Sequence, residues 1–150
     1  MVAITITLCL LISPFVLAFA HSAIIFNKHK ASLYANYFIV FNVSYYTFIN
    51  SLAYLVYGDD ISKFQGWIYS PAIFQIGIFQ LSIFIYSLIV LFKDSKFKSG
   101  LLLFFSIYMV LNSFSLFIGD ASTPDIILWM FILGLITAFI SFIFYRILKS

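Results

Sequence analysis

The chain has 150 residues, of which 64% are hydrophobic and 9% charged, with a formal net charge of +3. An ordinary soluble domain is about 45–50% apolar and about 25% charged, so a water-soluble globule lacks the polar residues to cover its surface. The 21% of aromatic residues exclude a disordered chain, the single Cys9 excludes a disulfide scaffold, and eight scattered Lys and Arg make no basic face for nucleic acid.

A helix that crosses the ~30 Å hydrocarbon core needs about 20 mostly apolar residues. Five stretches qualify: residues 2–26, 34–57, 68–92, 101–118 and 126–145, none of which contains Asp, Glu, Lys or Arg. Between them lie short polar connections holding Gly58, Gly100, Gly119 and Pro124, residues that end helices. A β-barrel would need segments of about ten residues alternating apolar and polar, whereas these are twice as long and apolar all round. The expected fold is therefore all-α: a polytopic bundle of five transmembrane helices in one membrane domain over residues 1–150.

Lys and Arg collect on the cytoplasmic side of membrane proteins. Lys28 and Lys30 occupy the first connection, Lys93, Lys96 and Lys98 the third, and Arg146 and Lys149 the tail. The second and fourth connections carry Asp59, Asp60, Asp120 and Asp125, with Lys63 as their only cation. Five spans with the N-terminus outside and the C-terminus cytoplasmic put seven of the eight cations on one side. A competing reading takes Ala18-Phe19-Ala20 as a signal-peptide cleavage site. No cation precedes the apolar run, however, and Lys28 and Lys30 follow it closely, which argues for retention.

Metal chemistry needs converging His, Cys, Asp or Glu. His21 and His29 both fall at the inner interface, where lipid contact is the plain reading, and no cofactor is expected. The intramembrane amides are more telling, because an Asn or Gln in hydrocarbon must find a partner. Asn42, Tyr46, Asn50 and Tyr57 share one stripe of the second helix. From the helical rise, Asn50, Gln75, Gln80 and Asn112 fall between the midplane and the outer half. They are either packing glue or a polar pocket beneath an outer rim of Asp59, Asp60, Asp120 and Asp125. On the fifth helix Gly134, Ala138 and Ser141 form a strip that lets another backbone come close. Its partner, a helix of this chain or of another protein, is open. Pro71 falls in the first turn of its helix and reads as a start signal.

Around the second connection, Tyr57-Gly58-Asp59-Asp60-Ile61, Gln65-Gly66-Trp67, Ser70-Pro71, Gly77 and Leu81 resemble an uncharacterised family of small bacterial inner-membrane proteins. That family shows an acidic residue, a short helical turn, Gly-Trp, Ser-Pro, a Glu and a Gly in this order; the Glu position falls on Gln75. The resemblance implies a bacterial inner (plasma) membrane, with an organellar inner membrane as the alternative.

The functional reading is a non-enzymatic accessory or interaction subunit. Its partners would be the lipid bilayer and another membrane protein or a second copy, not nucleic acid. The alternative is an oligomeric carrier or channel for a small polar or cationic solute, using Asn50, Gln75, Gln80 and Asn112. An enzyme acting on lipids or quinones would depend on His21 and Asp59, Asp60 or Asp120, which lie on opposite sides and cannot act together.

Overall fold

The structure is a computed structural model that describes residues 2–24, 30–65, 68, 70–115 and 124–149. In chain order these form α1 (Val2–Ile24), α2 (Lys30–Phe38), a π-helical segment (Ile39–Tyr45), α3 (Tyr46–Val56), α4 (Gly58–Gln65), α5 (Pro71–Leu91), α6 (Ser95–Ser115) and α7 (Pro124–Lys149). No strand occurs among the described residues. From α2 through the π segment to α3 the helix is unbroken.

Among the described residues, four helices are long and apolar enough to cross a membrane: Ser32–Val56, Pro71–Leu91, Ser95–Ser115 and Ile127–Lys149. In α1 the described apolar stretch is Leu11–Ser22, which is short for a crossing. The expected helix ends hold well for α5. Ser70 is extended (φ −151°, ψ 164°) and Pro71 stands in the first turn, where a missing N–H costs nothing. The start of α6 differs from expectation. Residues 95–100 continue the helix instead of lying in a connection, because Phe97 and Lys98 donate their backbone N–H groups to the Asp94 carbonyl. Gly100 is inside this helix, with open space where a Cβ would stand. Residues 58–65, expected as a connection, fold into α4, which carries Asp59 and Asp60 in its first turn and Lys63 in its last. That order suits the helix dipole.

Close contacts fix the direction of each neighbour. Ser44 meets Ser87 (Oγ to Oγ, 2.7 Å), the Phe48 and Phe84 rings lie 4.9 Å apart, and a Cβ on Gly77 would stand 2.8 Å from Leu55. As one number rises the other falls, so α5 runs antiparallel to the α2–α3 rod. Between α6 and α7, Ser106 Oγ donates to the Ala138 carbonyl (2.9 Å) and Ser141 Oγ to the Leu102 carbonyl (2.8 Å). These two are antiparallel as well, and they share the most extensive contact among the described residues. Helix α1 packs on α2, the π segment and α7. Phe15 approaches Phe38 and Phe144 at 6.5 and 6.1 Å, and those two rings lie 5.3 Å apart. A core cluster, from Ala35 and Phe38 through Val43, Ile83 and Phe105 to Phe144, joins the two hairpins.

This alternation separates the charges. The start of α2, the α5–α6 turn with Lys93 and Lys96, and the end of α7 with Arg146 and Lys149 share one end of the bundle. Helix α4, with Asp59, Asp60 and Lys63, lies at the other end.

Candidate functional site

The most polar part of the described interior sits between the α2–α3 rod, α5 and α6. Its geometry starts with the π segment, a type of turn that is frequent at functional sites. Wider turns displace backbone carbonyls from their usual donors. Here side chains supply replacements: Thr47 Oγ1 donates to the carbonyls of Val43 (2.7 Å) and Ser44 (3.2 Å), and Ser44 Oγ donates to that of Ile39 (3.2 Å). Beyond this segment α3 presents two stripes. Ser44, Phe48 and Leu55 meet α5, while Tyr46 turns to α6, its ring 6.2 Å from Phe105. Asn50 and Tyr54 follow Tyr46 at intervals of four.

Helix α6 answers with Tyr108 and Asn112, one turn apart. Asn112 Nδ2 donates to the Tyr46 hydroxyl at 3.4 Å, a long bond. From α5, Gln80 Nε2 donates to the Tyr108 hydroxyl. Gln80 is 2% exposed, and its Oε1 has no partner among the described residues. Ser51 is wholly buried, and its Oγ has none either. Each unsatisfied buried group costs about 1–3 kcal/mol, and inside a bilayer no bulk water relieves it. Gln80 lies nine residues into α5, about 14 Å along a helix of about 31 Å. Gln80 and its bond to Tyr108 therefore sit close to the middle of the helical layer.

The four expected pocket amides divide accordingly. Gln80 and Asn112 reach this centre through two different tyrosines. Asn50 turns its amide onto its own helix, donating to the Tyr46 carbonyl at 3.0 Å. Gln75 lies on the exposed face of α5, apart from the others. Tyr108, which sequence reasoning passed over, takes part in its stead. The i, i+4 pair of Tyr108 with Asn112 was the available signal.

Of the acidic rim, Asp59 pairs with Lys63 on α4 (2.6 Å) and Asp60 is exposed. The carboxylate raises the Lys63 pKa above the ordinary lysine value, first by its hydrogen bond and then by its charge. Asp120 and the side chain of Asp125 lie outside the described residues, as do Lys28 and His29. His21 Nδ1 bonds the Tyr37 hydroxyl at 2.9 Å, and no three His, Cys, Asp or Glu converge among the described residues.

The small-residue strip faces α6 of the same chain. Ser141 is wholly buried and Ala138 is 3% exposed, and a Cβ on Gly134 would overlap Ser113 Oγ. The strip thus finds its partner within the molecule.

The sequence pattern of a family of unknown function, DUF6790, matches residues 4–147. The chain belongs to that family. No curated protein and no solved structure matches it. The DUF6790 match runs from the first turn of α1 to the last turn of α7 and takes in every residue of the polar centre. It agrees with the expected membership of an uncharacterised family.

Proposed function

We propose that this DUF6790 protein is a five-span protein of a bacterial plasma membrane, N-terminus outside and C-terminus cytoplasmic, that acts as a non-enzymatic accessory subunit. In this reading α1 (23 residues) is the fifth span, and the charge difference between the two ends sets the orientation. With the Gly134 strip closed by α6, the surface that recommends a partner is on α1. There Leu8, Cys9, Ile12, Val16 and Leu17 line an open apolar groove of about 470 Å³, and Ser13 lines it too. The single observation that carries the reading is the exposed apolar side of α1, where Leu8, Ile12, Val16 and Leu17 are 40%, 56%, 60% and 43% exposed. A partner helix packed along α1 would cover the groove and these side chains.

Cys9 stands exposed in the same groove and serves as the probe. Oxidative crosslinking in native membranes should join Cys9 to a second copy or to another membrane protein, and Cys9→Ser should abolish the band. A protein that stays monomeric in membranes and on native gels in mild detergent contradicts the proposal.

The polar centre favours a second reading, an oligomeric carrier or channel for a small polar or cationic solute. Gln80 lies near the middle of the helical layer, where polar groups are costly and commonly mark solute pathways.

A further inference from the structure

Among the described residues, two buried side-chain oxygens without partners belong to α3 and α5, and the register of these helices brings them to one level. The register of the α2–α3 rod against α5 is regular: Ser44 faces Ser87, Phe48 faces Phe84, and Leu55 faces Gly77. Continuing this register between Phe48 and Leu55 places Ser51 opposite Gln80. Ser51 Oγ and Gln80 Oε1 are the atoms concerned.

We propose that Ser51 and Gln80 form a binding site for one small neutral molecule that both donates and accepts hydrogen bonds. Water, a short alcohol and a primary amide belong to this class. The donor sets define it. Gln80 Oε1 is a pure acceptor and calls for a donor on the ligand, while the Ser51 hydroxyl can donate in return. Gln80 Nε2 is engaged by Tyr108, which holds the carboxamide so that Oε1 is the end left to the ligand. Helix α5 carries no charged side chain, and Lys63 and Asp59 form a pair of their own on α4. A bare ion would give up its hydration shell for one amide oxygen and one hydroxyl, whereas ion-selective sites use rings of carbonyls or charges. A neutral ligand needs only the two bonds these atoms offer. This deepens the second reading above, narrowing its solute from polar or cationic to neutral, and it is tested by occupancy and not by transport.

The test is a structure of the full chain in lipid nanodiscs at a resolution that places water, in plain buffer, with glycerol added, and with rubidium chloride added. The expected result is density within hydrogen-bond distance of both Ser51 Oγ and Gln80 Oε1, water-sized in buffer and larger if glycerol enters. It should be lost in Gln80→Leu and also in Ser51→Ala, the gentler change should the first fail to fold. Direct pairing of Ser51 with Gln80 and nothing between them overturns the proposal. So does a rubidium peak at that position. Glycerol flux in liposomes is scored separately: density without flux removes the carrier reading and leaves the site, whereas flux that persists in a protein lacking the density removes the site.

Discussion

Replacing Gly134 by leucine is expected to separate α6 from α7 and to lower the thermal unfolding midpoint in detergent more than the loss of any one interhelical hydrogen bond. The first added atom alone would overlap Ser113 Oγ and stand 3.3 Å from Ser113 Cβ. Ser113 is buried and bonds the Met109 carbonyl at 2.7 Å. Overpacking a close-packed interior costs typically about 1–3 kcal/mol. Here the splayed helices would also stretch the bonds from Ser106 to Ala138 and from Ser141 to Leu102, two polar contacts that a lipid-facing helix cannot replace. Gly134→Ala should be milder, and Ser113→Ala should restore part of its loss by removing the hydroxyl. Melting of all three variants, followed by circular dichroism, checks this; a Gly134→Leu protein as stable as the parent would mean that α6 and α7 do not pack as described.

The second large effect concerns Tyr108. Tyr108→Phe should destabilise by about 1–3 kcal/mol, the cost of leaving a buried donor unmade. It strips Gln80 Nε2 of its tyrosine acceptor, and Gln80 is 2% exposed. Gln80→Leu should cost less, because an unsatisfied acceptor leaves together with the donor. The double variant should then lie close to Gln80→Leu alone, a positive coupling of the kind that residues in contact show. Four melting curves decide it. Strictly additive losses would mean that Gln80 and Tyr108 do not bond.

The polar centre was only half legible in the sequence, for reasons that differ residue by residue. Gln75 and Gln80 are five residues apart, about 140° around a helix of 3.6 residues per turn, so one helix cannot turn both toward the same neighbour. Depth alone groups them. Gln80 faces inward because the stripe of Ile73, Gly77, Ile83 and Ser87 is buried with it. Tyr108 was hidden by its type, since tyrosines read as interfacial anchors unless a partner is known. Ser51 carried no signal by itself; its position opposite Gln80 depends on the antiparallel register, which only the paired contacts reveal. The strip at Gly134, Ala138 and Ser141 was plain as a site of close approach, yet one helix's pattern cannot name the helix that comes close. Ser106 and Ser113 on α6 are the counterpart. Helix positions were legible because long apolar stretches leave little choice of structure in a bilayer. The start of α6 was not, because Lys96, Lys98 and Gly100 looked like a connection. The Asp94 carbonyl nevertheless begins the helix there.

Everything proposed depends on rods that alternate through the bilayer with Lys96 at one face and Asp60 at the other. In a Cys9→Ser background, Asp60→Cys and Lys96→Cys can each be labelled in intact cells with a membrane-impermeant maleimide. Labelling of position 60 from outside, with position 96 reacting only after lysis, is the predicted result. Equal reaction of both positions in intact cells would contradict the account.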